Sequence, residues 1–381
     1  MNVEEILREL VAIPTPSAVS NLPLLAWVAH FVEARGWHAV MLEYTDENGV
    51  AKANLIARPA EAPRGKSWIR FAFVCHTDTV PYSAGWTDAL KLQADDESLH
   101  GCGACDVKGA LACFLAALDG LAPEQVHPQA ALILTADEEI GCKGMERLLA
   151  ATNLRIGAAI VSEPTSLRPG IAGKGYGLAR ISIYGLEAHS AYPREGVSAI
   201  ALAARFINRI EGLAAKLAEG AAAPTAMSAL FDPPHTTLNV GMIQGGSAKN
   251  IVAGTCWFLV EWRPMPADSP SAVFVELTSL AEAMRSEEPR ARIEVELLRA
   301  EHGFAPAGVG TLQRRMGETS SRAPIGISFG SEASRIARIA DEVIVMGPGD
   351  MHTAHSDREC VPPGELTQWV QMLRSLLCTG G

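Results

Sequence analysis

The chain has 381 residues, 48% of them hydrophobic, with a formal net charge of -11 and a pI near 5.4. Its length exceeds what one core usually holds, so two domains are expected. The acidic balance, with no cluster of Lys and Arg, excludes a nucleic-acid-binding surface. Met1-Asn2-Val3-Glu4-Glu5-Ile6-Leu7-Arg8 reads as an acidic amphipathic helix, not a positively charged secretion leader. Apolar runs such as Ala110 to Leu118 fall short of the roughly 20 residues a membrane span needs, and a cytoplasmic protein is expected. Eight cysteines in so long a chain form no disulfide framework. Cys75, Cys113 and Cys256 lie in apolar segments as small hydrophobes, and Cys102-x-x-Cys105 lacks the second pair a structural zinc site wants.

Helical spacing covers Val3 to Leu10 and Leu24 to Arg35. Pro14 and Pro16 end the first, and Pro23 suits the first turn of the second. Strands are expected at Trp37 to Leu42, Asn54 to Arg58 and Trp68 to Val74, the last running into Cys75-His76-Thr77-Asp78. Two apart in extended chain, His76 and Asp78 share a side, so Asp78 can orient an imidazole that His76 presents to a metal; a satisfied polar pair is the plain alternative. A glycine-rich turn, His100 to Gly109, then feeds the helix Ala110 to Leu118. Asp106 caps that helix or, alternatively, bridges two cations with its two oxygens. Neither Gly-Lys-Ser/Thr nor G-x-G-x-x-G occurs there, so no nucleotide is expected. Ala130 to Thr135 is an apolar run of the kind that forms a buried parallel strand, and it ends in Asp137-Glu138-Glu139. Ligands gather beyond the carboxyl ends of such strands, and adjacent acids can divide two tasks, one gripping a cation and one facing a reacting water. The alternative is a solvated acidic turn. A helix from Gly144 to Ala150 and a strand from Ala158 to Val161 follow, the strand tipped by Glu163.

The texture changes near Lys174. Strand Tyr176 to Tyr184, helix Val197 to Leu217, strands Thr237 to Ile243 and Thr255 to Trp262, helix Ser271 to Met284 and strand Arg292 to Leu298 give the βαββαβ order of a ferredoxin-like α+β domain. The Ala- and Pro-rich stretch Gly220 to Pro234 reads as a connecting loop. Helix and strand signals of the first type resume after Phe304, including Val343 to Met346 and a closing helix Leu366 to Leu377. The expected architecture is α/β, a mixed and mostly parallel sheet with helices on both faces, interrupted by the inserted domain. Residues 1–173 and 300–381 would form one domain, which carries the strand-end acids, and 174–299 the inserted one.

Segment ends at His76, Asp106, Glu138, Glu139, Glu163 and His355 supply two imidazoles and four carboxylates, a mixed N/O set suited to zinc and tolerated by cobalt or manganese. Two metals are the natural count. One cation could take His76, Asp106 and Glu163; the other, Asp106, Glu139 and His355. Glu138 is then spare and serves as a general base.

The motifs Cys75-His76-Thr77-Asp78-Thr79-Val80-Pro81, Gly103-Ala104-Cys105-Asp106-Val107-Lys108-Gly109, Thr135-Ala136-Asp137-Glu138-Glu139, Ser162-Glu163-Pro164-Thr165 and Ala354-His355 stand in one order over nearly the whole chain. In this the chain resembles the di-zinc amidohydrolase family that includes acetylornithine deacetylase, succinyl-diaminopimelate desuccinylase, glutamate-releasing carboxypeptidase and the aminoacylases. The resemblance implies the same metal and base roles, with Asp106 bridging, and a cis peptide at Asp106-Val107. It also implies that residues 1–173 and 300–381 are the metal-binding catalytic domain, that 174–299 are a lid and dimerisation domain, and that His189, in Leu186-Glu187-Ala188-His189-Ser190-Ala191, stabilises the oxyanion, often from the neighbouring subunit of a homodimer. Asn250 and Arg263 match positions that bind substrate polar groups, and an Arg can hold a carboxylate through paired hydrogen bonds. A strand-end surface charge is the plain alternative for Arg263. His352 competes with His355 as ligand, and the Ala-His motif favours His355. His30, His38, His100, His127, His235 and His302 have no motif support.

Departures are Cys102 and Ala104 in the metal loop and the lack of a proline after Asn250. Leu238-Asn239-Val240-Gly241, Trp262-Arg263-Pro264-Met265-Pro266 and Gly347-Pro348-Gly349 look closest to the acetylornithine deacetylase branch, which implies acetylornithine as substrate. By similarity to a Thr-Glu-Ala segment of that branch, Glu332 would meet a substrate ammonium. The runner-up is the desuccinylase or a related N-acyl-amino-acid deacylase or dipeptidase. Such a desuccinylase needs an extra pocket cation, for which Lys174, Arg194 and Lys249 are candidates. From another class, the rival is a non-catalytic metal-binding scaffold.

Overall fold

The computed structural model describes residues 1–62, 67–220, 225–306 and 308–378. The stretch 221–224 of the expected Gly220 to Pro234 loop lies outside them. The chain divides into two units: Met1–Ile171 with Pro306–Ile325 and Ser331–Gly381, and Ala172–Ala305 with Gly326–Gly330.

The first unit begins with helices α1 (Val3–Ala12) and α2 (Leu22–Glu33), followed by strands β1 (Trp37–Thr45), β2 (Ala51–Pro59) and β3 (Trp68–His76). Asn2 and Glu5 close a reciprocal capping box that starts α1, and Pro23 stands in the first turn of α2. Short strands β4 (Gln93–Ala94) and β5 (Leu99–His100) precede helix α3 (Lys108–Asp119), strand β6 (Ala130–Thr135), helix α4 (Lys143–Ala151) and strands β7 (Arg155–Val161) and β8 (Gly170–Gly173).

The second unit holds β9 (Tyr176–Tyr184), α5 (Ala199–Gly220), β10 (Thr237–Gly245), β11 (Thr255–Arg263), α6 (Ala272–Glu287) and β12 (Arg292–Glu301). The chain then returns through α7 (Thr311–Ser320), β13 (Ile325–Ile327), α8 (Ala333–Ile336), β14 (Ala340–Val345), β15 (Cys360–Val361) and α9 (Pro363–Leu377).

An eight-stranded sheet runs in the order β1-β2-β6-β3-β7-β14-β8-β13. Its central strands β6, β3, β7 and β14 are parallel; β2 and β8 pair antiparallel with β6 and β14, and β1 pairs antiparallel with β2. Every residue of β6 is buried, which requires cover on both faces of the sheet. On one face Phe114 of α3 stacks on Phe73 of β3 at 4.9 Å and meets Trp37 edge-on at 5.9 Å. The chain passes from β3 to β6 on one side and then to β7 on the other, so the strand order reverses beyond the carboxyl end of β3. That crevice is where an open α/β sheet binds ligands.

In the second unit the antiparallel order β10-β11-β9-β12, with α5 and α6 packed on it, is ferredoxin-like. Strand β9 alternates strictly between half-buried and buried positions, and Ile181 and Ile183 meet Phe206, Phe258, Val260, Trp262, Leu277 and Met284 in its core. The fully buried Trp262 indole donates to the Pro270 carbonyl at 2.8 Å. Short strands β4, β5, β8, β13 and β15 carry too few residues to show a period and were not expected from sequence. All eight cysteines are free, and among the described residues no helix is long and apolar enough to cross a membrane.

Candidate metal centre

Registered parallel pairing brings the expected residues together. His76 ends β3 opposite Thr135 at the end of β6, and Val74 is opposite Val161 at the end of β7. Three adjacent strands therefore deliver His76, the Asp137-Glu138-Glu139 turn and Glu163 to one edge. The loop before α3 adds Asp106, and the loop between β14 and β15 adds His355.

Two donor groups result, His76, Asp106 and Glu163 in one and Asp106, Glu139 and His355 in the other, with the donor atoms in each within 4.8 Å of one another. Asp106 belongs to both: Oδ1 lies 3.0 Å from His76 Nε2 and Oδ2 3.2 Å from His355 Nε2. It does not act as helix cap, since Val107 holds that place without a side-chain bond. The Asp106-Val107 peptide is cis. His355 Nε2 also lies 3.1 Å from Glu139 Oε1. His355 adopts φ 57°, a conformation rare for a residue with a side chain. His352, by contrast, is almost fully exposed and bonds Asp350 at 2.7 Å.

Burial pushes the Glu138 carboxyl up to about 8, with the charges of Glu139, Glu332 and Asp78 adding to it against His76. Glu163 is raised in the same way, first by burial and then by Asp106, Glu138 and Glu139. Burial also acts on Asp106, but hydrogen bonds from His355 and His76 outweigh it and hold the carboxyl below its ordinary range. So many carboxylates gathered in a buried place concentrate negative charge that divalent cations would resolve. The donor set, two imidazoles and three carboxylates, fits a pair of such ions. Glu138 is in neither donor group; its Oε1 is 3.3 Å from the Cys142 thiol.

Asp78 acts differently from the expectation. Its carboxylate is 3.8 Å from His76 Nδ1, and the backbone carbonyl of Asp78 takes that nitrogen instead, at 2.9 Å. The reason is the departure of the chain from the sheet: Thr79 N–H turns to Thr15, so the alternation of a strand no longer governs residue 78. The freed carboxylate accepts from the backbone of Glu138 at 3.1 Å and of Glu139 at 3.3 Å, and from Ser17 Oγ at 2.7 Å. Asp78 thus holds the acidic turn as well as the imidazole.

Sequence reasoning passed over several supports of this turn. Asp137, at φ 59° and buried, is paired with the fully buried Lys52 and accepts from Tyr44 at 3.0 Å. An unpaired charge in that position would be strongly destabilising. The signal was a single Lys inside the apolar strand Ala51-Lys52-Ala53-Asn54-Leu55-Ile56. Arg335 of α8 donates to the Gly141 carbonyl at 3.2 Å and pairs with Glu146. Glu359 accepts from the loop that carries Asp106, and no periodicity distinguishes it from Asp357.

Glu332 is 1% exposed; its Oε2 accepts from Thr135 at 2.9 Å, while Oε1 is buried without a hydrogen-bond partner among the described residues. Burial pushes its carboxyl up to about 7. The remaining expected residues belong to the second unit. There His189 is exposed and pairs with Ile251 in a β-bridge, and Ser190 N–H donates to the Asn250 carbonyl at 3.0 Å, so the His189 and Asn250 loops are joined. Arg263 lies elsewhere, at the end of β11, bonded to Glu261 at 2.9 Å and stacked on Tyr176 at 4.7 Å. Lys174 is buried with its ammonium on the Pro233 and His235 carbonyls, at 2.8 and 2.7 Å.

A parallel α/β crevice holding two donor groups around one shared Asp, with a spare acid beside them, marks a metal-dependent hydrolase of amide bonds. Residues 72–379 match Peptidase family M20/M25/M40, and the chain belongs to that family. An acetylornithine deacetylase from Myxococcus xanthus is 41% identical over 367 residues, covering 95% of this chain and 93% of the relative. Another from Yersinia pseudotuberculosis is 31% identical over 94% of this chain and 92% of its own length. Among solved structures, a tripeptidase from Staphylococcus aureus shares the fold with a TM-score of 0.80 at 22% identity, covering 99% of this chain and 97% of that one. A dinuclear metal binding peptidase of the M20 family from Bacillus subtilis matches with a TM-score of 0.68 at 14% identity, covering 98% and 97%.

Proposed function

We propose that this chain removes the acyl group from a small N-acyl amino acid, with N-acetylornithine, cleaved to ornithine and acetate, as the leading substrate. The observation that carries the reaction is Glu138, a half-buried residue whose carboxyl feels the charges of His76 and Glu139, one from each donor group, and which is a member of neither. The substrate rests on the relatives named above, the nearer of them 41% identical. Zn2+ is the ion this mixed N/O set suits best, and cobalt or manganese would be tolerated. His76, Asp106 and Glu163 would hold one ion, and Asp106, Glu139 and His355 the other. The bound ions would supply Lewis acidity, drawing charge from the acyl carbonyl and acidifying water.

Glu138 takes a proton from the attacking water and passes it to the leaving amine nitrogen. Cys142 keeps that carboxylate aligned, and Asp78 fixes the backbone on which it stands. His189 donates to the carbonyl oxygen as charge develops there. Its hydrogen bond supports the role: Nδ1 accepts the Ala191 N–H at 3.1 Å, which leaves Nε2 as the nitrogen that can donate. Asn250, on the joined loop, adds a second polar contact. Arg263 binds the substrate carboxylate, and the unpaired oxygen of Glu332 receives its ammonium. Lys174 is committed to two carbonyls and so is withdrawn as the extra cation a succinylated substrate would need, which leaves Arg194 and Lys249 for that role.

The second unit would act as lid and dimerisation domain. Strand β10 is an edge of its sheet, with Met242 57% and Ile243 54% exposed, an open template for pairing with a second copy. A mass of twice the chain by sedimentation is expected; an active monomer would rule out His189 acting from a partner. The eight free thiols suit a reducing cytoplasm.

The test is an assay of zinc-loaded protein on acetylornithine, succinyl-diaminopimelate, acetylcitrulline and a short dipeptide, with parent and Glu332→Gln side by side. Acetylornithine should give the largest kcat/KM, and Glu332→Gln should raise its KM about tenfold or more with little change in kcat. A larger kcat/KM on another substrate would overturn the substrate. An unchanged KM would remove Glu332 from the pocket.

A further inference from the structure

We infer that Glu359 is the positioning residue that fixes the Asp106 loop in its cation-binding shape and ties it to the His355 loop. The inference rests on the two-ion reading above. The Glu359 carboxylate is 3% exposed. Its Oε1 accepts from the backbone N–H of Cys105 and of Asp106, each at 3.0 Å, and its Oε2 from that of Gly103, also at 3.0 Å. The remaining amide of the turn, from Ala104, goes to the Gly101 carbonyl. Residues 103–106 therefore wrap one carboxylate with three of their four amides, the concave arrangement that backbone uses to hold an anion.

The wrap depends on Gly103. It adopts φ 78°, and a Cβ there would stand 2.9 Å from Lys108 Cδ and 3.0 Å from Thr79 Cγ2. Glu359 is itself anchored: its carbonyl receives the Gly101 N–H, and its neighbour Cys360 pairs with His100. A carboxylate so placed cannot move without carrying the loop with it.

The connection to His355 makes this more than loop packing. His355 stands four residues before Glu359 and reaches the Asp106 side chain at 3.2 Å, while Glu359 grips the Asp106 backbone. Side chain and backbone of the shared carboxylate are thus held by two residues of one short segment, in a closed ring. Asp106 must turn Oδ1 toward His76 and Oδ2 toward His355 to serve both ions, and its backbone orientation decides whether it can. Loss of a group that orients a ligand from behind lowers metal affinity typically 10–100-fold.

The experiment compares metal-free parent with Glu359→Gln, which keeps the size of the side chain but replaces one acceptor oxygen by an NH2 group that cannot accept. Zn2+ and Co2+ affinities are measured by competition with a chromophoric chelator, and amide hydrogen exchange is followed at residues 103–106 in the metal-free proteins. Affinity should fall about 10–100-fold, exchange in the loop should quicken, and activity should recover with excess metal at an unchanged KM. Equal affinities in parent and variant would overturn the inference. A parent that binds neither ion would instead overturn the two-ion reading. If Glu359→Gln fails to fold, Glu359→Asp, one methylene shorter, carries the same comparison.

Discussion

Glu138→Gln is expected to bind both ions at parental stoichiometry and to lose turnover by about 10²–10⁴-fold, the usual share of a positioned acid or base. The substitution keeps the shape of the side chain and the acceptor for the Cys142 thiol, 3.3 Å away, but removes the group that can carry a proton. Burial and the neighbouring acids push Glu138 up to about 8 in the metal-free chain, so it is poised to hold a proton near neutrality. Dications held by the two donor groups would favour the ionised form and restore the base. Because Glu138 lies in neither donor group, metal content should not follow activity down. A variant that turns over at the parental rate would remove Glu138 from the mechanism, and a variant that loses metal would make it a ligand.

Asp106→Ala should abolish activity and bring metal content from two ions to fewer than one. Asp106 is the residue common to both donor groups, and its loss leaves each ion two protein ligands from those groups. The two imidazoles that share its oxygens would also lose their main anionic partner. Calorimetry supplies a second reading. A ligand that binds only the folded state at 100 times its Kd stabilises it by about 2.7 kcal/mol, so metal should raise the parental Tm and leave that of the variant nearly unmoved. The pH dependence has a definite sign. Hydrogen bonds to Asp106 and Glu139 raise His355 from 6.5 to about 10 in the metal-free protein. Its contribution to stability is therefore complete below the unfolded value and lost as pH rises through about 10. Metal needs the neutral ring, so binding releases a proton and tightens as pH increases.

How much of this was legible in the sequence depended on whether a pattern reached the residue. Apolar runs ending in charge exposed β3, β6 and β7 together with His76, Glu138, Glu139 and Glu163, because a buried parallel strand carries its ligands at its carboxyl end. Strict alternation in Tyr176–Tyr184 exposed the core of the ferredoxin-like unit. Asp78 escaped the same logic: the rule that residues two apart share a side holds only inside a strand, and the chain leaves the sheet at Thr77. Lys52, marked only as a lone Lys in an apolar strand, and Glu359 were passed over for a different reason. Each is a charged residue whose burial is decided by distant partners, Asp137 for the one and the amides of residues 103–106 for the other, and local sequence holds no trace of them.

The central claim is that one aspartate stands between two cations held by residues from five separate segments. Anomalous diffraction from crystals of zinc-loaded parent protein tests it directly. Two peaks are expected, one among His76, Asp106 and Glu163 and one among Asp106, Glu139 and His355, with an oxygen of Asp106 on each. A single ion, or two ions with Asp106 bound to one or to neither, would contradict it.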